Sequence, residues 1–300
     1  MSEIVEVEGL SRRFGGKQAL ANVSYRAGEG LVYGLVGVNG AGKTTLIKHM
    51  LGLLRAKSGS VRIFGEDPAR HPVEVLREVG YLSEERDLPD WTSIRQLLTF
   101  TKAHFPTWDD AYAEELLETF KLDPTNLIKN LSKGMRAQAG LIAAVAHRPR
   151  LLILDEPSSG LDAVVREDIL NAVLRAVSED GRTVIFSSHL LYEVERMSDH
   201  VTMINAGTVH LDGRLDELQA RHQTSEISLE SRNAPATDLP GVLSAEVIQD
   251  SRWKIVHETS AGDFTAAVTA AGGSVEESRT AMLLEVFVAR VGRGALESAE

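Results

Sequence analysis

The 300-residue chain has no cysteine, which excludes disulfides, thiolate metal ligation and a cysteine nucleophile. It also lacks a long apolar run. Stretches free of charged residues, such as Gly30 to Gly42 and Ala137 to Ala146, fall well short of the ~18 residues that a membrane-spanning helix requires. The opening residues, Met1-Ser2-Glu3-Ile4-Val5-Glu6, offer neither a basic nor an apolar stretch, so no secretory signal is read there. Positive charge is scarce too: 32 Lys+Arg face 43 Asp+Glu, a formal net charge of −11, which disfavours binding to nucleic acid through a general basic field. The deficit is steepest from His222 onward, where 6 Lys+Arg accompany 12 Asp+Glu. With 43% apolar and 25% charged residues the composition is that of a globular protein, expected in the cytoplasm, whose phosphate sites have to be built locally.

Short apolar or alternating segments recur between Ile4 and Phe64, separated by glycine-rich turns and one helical stretch, Thr44 to Leu53. From Thr92 to Ala146 the spacing turns helical, with Ile94, Leu97, Leu98 and then Leu116, Leu117, Phe120 at intervals of one, three and four, and with Pro106 and Pro124 as punctuation. Two continuous apolar runs follow, Leu151 to Leu154 and Thr183 to Phe186, on either side of a helical pattern from Leu161 to Val177. Runs of this kind suit strands covered on both faces of a parallel sheet, so the chain reads as α/β. The polar segment Gln219 to Ser225 and the turn-forming Ser231 to Pro240 predict a boundary near residue 222. A small acidic α+β unit is expected beyond it, with strands at Glu226–Glu230, Leu243–Ile248 and Trp253–His257 and helices at Asp263–Ala271 and Ala281–Val291.

Gly37-Val38-Asn39-Gly40-Ala41-Gly42-Lys43-Thr44 matches G-x-x-x-x-G-K-[ST], directly after the apolar run Leu31 to Val36 and before a helix. Glycines in such a loop let backbone N–H groups point inward at phosphates, and the helix that follows adds the positive end of its dipole. Lys43 is then placed to reach the β- and γ-phosphates and the Thr44 hydroxyl to take a Mg²⁺ position. Leu151-Leu152-Ile153-Leu154-Asp155-Glu156 is an apolar strand ending in two carboxylates, a position from which a metal ligand and a base can work at the C-terminal edge of a parallel sheet.

The order GVNGAGKTT (Gly37 to Thr45), LSKGM (Leu131 to Met135), LLILDEP (Leu151 to Pro157), SGLD (Ser159 to Asp162) and SSH (Ser187 to His189) resembles that of an ATP-binding cassette (ABC) ATPase, over about Ile4 to Arg221. The resemblance implies a P-loop NTPase (RecA-like) core with an antiparallel β subdomain and an α-helical subdomain carrying the signature, residues 1–221 forming the cassette and 222–300 an appended unit. It further implies an ATP site built from Gly37, Asn39, Gly40, Ala41, Gly42, Lys43, Thr44 and Thr45. Asp155 would hold Mg²⁺ through water, Glu156 would act as general base, and His189 would contact the γ-phosphate. Phe14, in Arg13-Phe14-Gly15, stands where the family puts an aromatic against adenine; it suits an ordinary core position nearly as well.

Two positions depart from the family pattern. The usual LSGGQ is LSKGM here, in which Ser132 and Gly134 keep a hydroxyl and a close backbone approach for phosphate, while Lys133 reads as a solvated side chain. The Q-loop glutamine is replaced by Glu84, or the aligned residue is its neighbour Glu85. A carboxylate there keeps an oxygen for Mg²⁺ but adds charge: at ~4 to 5 Å and an effective dielectric of ~20, attraction to the metal and repulsion from the γ-phosphate are each about 3 to 4 kcal/mol and oppose one another.

One set of motifs and no spanning helix imply half of a nucleotide sandwich, in which two copies or two homologues bind two ATPs, each between the P-loop of one subunit and Ser132/Gly134 of the other. By resemblance the chain drives a separate transmembrane permease, whose docking groove Arg86 to Trp91 would line, from the inner face of the membrane. Phe105-Pro106-Thr107-Trp108-Asp109-Asp110 and the C-terminal extension resemble ATPases of bacterial exporters or lipid-envelope stress systems. The rival reading, a soluble ABC ATPase acting on nucleic acid or ribosomes, fits less well with one cassette, no long heptad insertion and a net negative charge.

Overall fold

The computed structural model describes residues 3–229, 236–249 and 251–292. It divides into two compact units, with the division between Val209 and His210. The boundary expected at 221/222 stands at the end of the first helix of the second unit. The division by packing lies twelve residues earlier. Of the expected Ser231–Pro240 linker, 231–235 lie outside the described residues.

The first unit opens with β1 (Glu3–Phe14) and β2 (Lys17–Gly28), passes through β3 (Val32–Val36) into α1 (Lys43–Met50), and returns along β4 (Ser60–Ile63). The order β2-β1-β4 forms a three-stranded antiparallel sheet. The chain continues with α2 (Pro72–Leu76), β5 (Val79–Leu82), α3 (Ile94–Lys102), α4 (Asp110–Thr119), α5 (Lys133–Val145), β6 (Leu151–Asp155), α6 (Ala163–Asp180), β7 (Thr183–Ser188), α7 (Leu191–Met197) and β8 (His200–Asn205), and β9 (Thr208–Arg214) carries it across the division. A six-stranded sheet runs β5-β6-β7-β3-β8-β9, and its members from β5 to β8 pair in parallel.

Every residue of β3, β6 and β7 is buried, which explains their unbroken apolar reading: a parallel strand covered on both faces has no solvent side to alternate with. The helical insertion consists of α3, α4 and α5. Ser93 and Gln96 form a capping box on α3, the Asp109 carboxylate caps α4, and Ser132 caps α5. Buried Ile94, Leu97, Leu116 and Leu117 form the apolar faces anticipated from their spacing.

The second unit contains α8 (Leu215–Arg221), β10 (Gln223–Leu229), β11 (Val242–Gln249), β12 (Arg252–His257), α9 (Ala261–Ala270), β13 (Gly273–Thr280) and α10 (Leu283–Val291). Its antiparallel sheet runs β11-β12-β10-β13 over a core of Ile227, Leu229, Ile255, Phe264 and Val268. The sequence pattern does not predict strand β13. Its residues, GSVEESRT, present Glu276, Glu277 and Arg279 at a largely exposed sheet edge, and so little apolar surface leaves no period to detect.

At the base of α10, Glu285 collects both guanidinium nitrogens of Arg279 at 2.7 and 2.8 Å, Lys254 at 2.8 Å, the Thr224 hydroxyl at 2.9 Å and the Met282 amide at 2.9 Å. Burial by itself raises the Glu285 pKa, but these donors outweigh it and hold the carboxyl down to about 2. A depressed carboxylate contributes stability above its ordinary value of 4.5 and loses it as pH falls towards 2. The second unit is therefore expected to melt at progressively lower temperature between these limits. Glu285→Gln should lower stability at neutral pH and flatten that acid limb in calorimetry; an unchanged limb would refute the assignment.

Candidate nucleotide site

The site forms where β3, β6 and β7 end side by side. Register pairs Val36 with Ser188 and Asp155 with Ser187, so the end of β7 lies between the phosphate-loop strand and the strand carrying the two carboxylates. The loop 37–42 then enters α1. A side chain at Gly37 would bring its Cβ within 2.2 Å of the Ile204 carbonyl oxygen. Gly42 has φ +116° and stands where a Cβ would meet the Ala19 oxygen at 2.6 Å, so neither position admits another residue without displacing backbone.

Within this frame Lys43 and Glu156 are both almost wholly buried and form an ion pair, Nζ to Oε1 at 3.0 Å. Lys43 also donates to the carbonyls of Gly37 and Val38. The second oxygen of Glu156 is 2.7 Å from Nδ1 of His189, whose ring is one-third exposed. Ser187 ties the two carboxylate residues together, with its hydroxyl donating to Asp155 Oδ1 at 2.7 Å and accepting from the Glu156 amide at 2.9 Å. Burial pushes the Asp155 carboxyl up, as does the charge of Glu156, against hydrogen bonds from Ser187 and Thr44 and the charge of Lys43. Nearby, burial above all, and then the negative charges of Asp155, Glu85 and Glu84, push the Tyr81 hydroxyl up strongly.

A cavity of about 410 Å³ is lined by Phe14, Lys17, Ala19, Val38, Asn39, Gly40, Ala41, Gly42, Lys43, Thr44, Thr45, Glu84 and Glu156. Most of the sequence-selected residues thus meet at one place. Glu84 lines it and Glu85 does not. Phe14 is 47% exposed and carries the Arg12 guanidinium 4.6 Å from its ring centroid, so it is not a core phenylalanine. Asp155 and His189 join the cluster through Thr44 and Glu156.

Ser132 and Gly134 do not line the cavity. They stand at the start of α5, where the Ser132 hydroxyl accepts from the Met135 amide at 3.2 Å and Gly134 packs on Val165 of α6. Lys133 is exposed as expected but lies across Gly160, where an added Cβ would be 2.3 Å from its Nζ.

A family model described as "ABC transporter" matches residues 20–159. An uncharacterized ABC transporter ATP-binding protein of Alkalihalophilus pseudofirmus is 35% identical over 86% of this chain and 98% of its own length. The chain belongs to the ABC transporter ATP-binding proteins. Among other relatives of this ABC ATPase, the bacitracin transport ATP-binding protein BcrA of Bacillus licheniformis is 32% identical over 74% of each chain. The ATP-binding protein YtrB of Bacillus subtilis is 29% identical over 83% of this chain and 87% of its own. A solved structure titled as the ATP-binding subunit of an ABC transporter superposes with a TM-score of 0.66 at 28% identity, covering 72% of this chain and 92% of that one. The α/β fold is that of the ABC cassette, and the chain is an ATP-hydrolysing enzyme of that family.

The structure gives roles to residues for which motif reading offered none. Ser187 bridges Asp155 and Glu156, Lys17 closes the cavity beside Gly40, and Glu193, wholly buried, accepts from Ser158 at 2.6 Å and Ser188 at 3.1 Å. A serine ending an apolar strand and a glutamate in a short helix announce no such role by themselves; the register of β6 on β7 sets Ser187 beside Asp155, and hydrogen bonds from Ser158 and Ser188 reach Glu193 on α7.

Proposed function

We propose that the chain is the ATP-driven half of a membrane transporter, with residues 1–221 working as the cassette and 222–300 as an appended acidic unit. The observation that carries this reading is the buried Glu156 held between Lys43 and His189 at the mouth of the phosphate loop, with the signature serine of the same chain outside that cavity. Lys43 and the amides of 39–45 bind the phosphates, and Phe14 supports the base. Thr44, Asp155 and Glu84 offer the hard oxygen donors that Mg²⁺ prefers, and the Thr44–Asp155 hydrogen bond brings two of these groups together. When bound, Mg²⁺ neutralises charge between the β- and γ-phosphates. Glu156 takes a proton from the attacking water, and His189 orients Glu156 and faces the γ-phosphate. Ser132 and Gly134 of a second copy or homologue close the site.

No described helix is long and apolar enough to cross a membrane, so membrane attachment in this reading comes through a separate permease. Trp91, 81% exposed, supports a docking role for the segment before α3. Tagged full-length chain extracted with mild detergent from its own membranes is expected to bring a polytopic membrane protein with it in stoichiometric amount. Trp91→Glu should release that protein while leaving the intrinsic ATPase rate intact. Recovery of nucleic acid or ribosomes in place of a membrane protein would overturn the transport reading.

A further inference from the structure

Arg86 does not belong to the surface on which its neighbours were expected. Trp91 at the far end of the same segment is open to solvent, whereas Arg86 is 3% exposed. A buried guanidinium is costly unless its protons are used. Only Nη2 of Arg86 uses its protons, donating to the Pro157 carbonyl at 3.0 Å and to the Ser159 carbonyl at 2.9 Å, while Nε and Nη1 are buried without a hydrogen-bond partner among the described residues. Its backbone is left-handed, φ +52°, a conformation that non-glycine residues adopt only when the surroundings hold it. The Arg86 amide closes the turn by donating to the carbonyl and hydroxyl oxygens of Ser83, both at 3.2 Å.

The two carbonyls that Arg86 holds stand one and three residues after Glu156. Glu156 itself is left-handed, φ +49°, and its carbonyl accepts from the Ser159 amide at 3.1 Å. Between them, Ser158 donates to Glu193, which also accepts from Ser188, the residue before His189. A continuous set of hydrogen bonds therefore joins the end of β5 to the 156–162 turn and onward to the histidine loop. Both contacts leave the single nitrogen Nη2 at the far end of a rigid planar group, and a lysine ammonium, on a shorter and freely rotating stem, does not hold that reach and direction.

We propose that Arg86 is a positioning residue for hydrolysis. Its guanidinium clamps the carbonyls of Pro157 and Ser159 and so fixes the aim of the Glu156 carboxylate. The proposal rests on the reading of Glu156 as the base.

The test uses the full chain and steady-state ATP hydrolysis. Arg86→Met, similar in length and without donors, is expected to lower kcat about 10- to 100-fold while KM for ATP stays within about threefold, because a misaimed base weakens the transition state and leaves the phosphate cradle alone. In Arg86→Ala, guanidinium at about 20 mM, far below denaturing concentration, should restore several-fold of the lost kcat and should not stimulate the wild type or Glu156→Gln. Wild-type kcat in Arg86→Met overturns the proposal. So does a parallel fall in melting temperature and ATP binding without guanidinium rescue, since that is a merely structural role. If Arg86→Met does not fold, Arg86→Lys carries the test: reduced kcat at unchanged KM supports the clamp and unchanged kcat overturns it. Glu156→Gln run alongside separates the two failures. Full activity there removes the base itself, whereas an inactive Glu156→Gln beside a fully active Arg86→Met removes only the clamp.

Discussion

Glu156→Gln is expected to lose about 10² to 10⁴ in kcat while binding ATP as tightly as the wild type or more tightly. The amide keeps the shape of the side chain and can still bond His189, but it cannot take a proton from water. The gain in binding follows from the ion pair with Lys43 at 3.0 Å. Phosphate must compete with Glu156 for the ammonium in the wild type and has no charged competitor in the variant, in which Lys43 keeps only the Gly37 and Val38 carbonyls. Single-turnover hydrolysis and equilibrium titration with a fluorescent nucleotide separate the two effects. Retention of most of the wild-type rate would reject Glu156 as the base, and clearly weaker ATP binding would reject the competition.

Ser132→Arg is expected to abolish turnover as completely, although Ser132 lies outside the cavity of its own chain. In the head-to-tail pair proposed above, the start of α5 would close the partner's nucleotide, and an arginine there would add bulk and displace the small hydroxyl. The fold should survive, because Ser132 is exposed and loses only its cap on the Met135 amide, a change worth about 1 kcal/mol. Glu156→Gln protein with ATP should elute as a dimer and with ADP as a monomer, and adding Ser132→Arg should block the shift. Mixing Ser132→Arg with Lys43→Ala chains should then return activity, since a mixed pair contains one site with an intact phosphate loop facing an intact signature. Full activity of Ser132→Arg alone would refute the shared site.

Much of the site was legible because its chemistry sits in short contiguous motifs. Gly37 to Thr45 and Asp155-Glu156 announce a phosphate loop and a strand-end carboxylate pair in any context, and the buried runs β3, β6 and β7 announce the sheet that aligns them. What escaped depends on register and depth. Arg86 follows two glutamates and reads as one more surface charge; its burial is decided by the turn after β5 and by carbonyls some 70 positions away. Glu84 and Glu85 are adjacent carboxylates that sequence alone does not separate, and only the path of the chain puts Glu84 in the cavity. Ser187 acquires its role from lying opposite Asp155 on the neighbouring strand.

Strand β13 was hidden by the same property that makes it a safe boundary for its sheet. An edge strand exposes a row of free N–H and C=O groups on which another chain can assemble. On β13 the charges of Glu276, Glu277 and Arg279 discourage a second strand from settling there. The opposite edge, β11, carries Val247 and Ile248 half exposed. Resistance to aggregation in the second unit is therefore one-sided, and a tag or fusion partner intended to improve solubility at high concentration has more to shield along β11 than along β13.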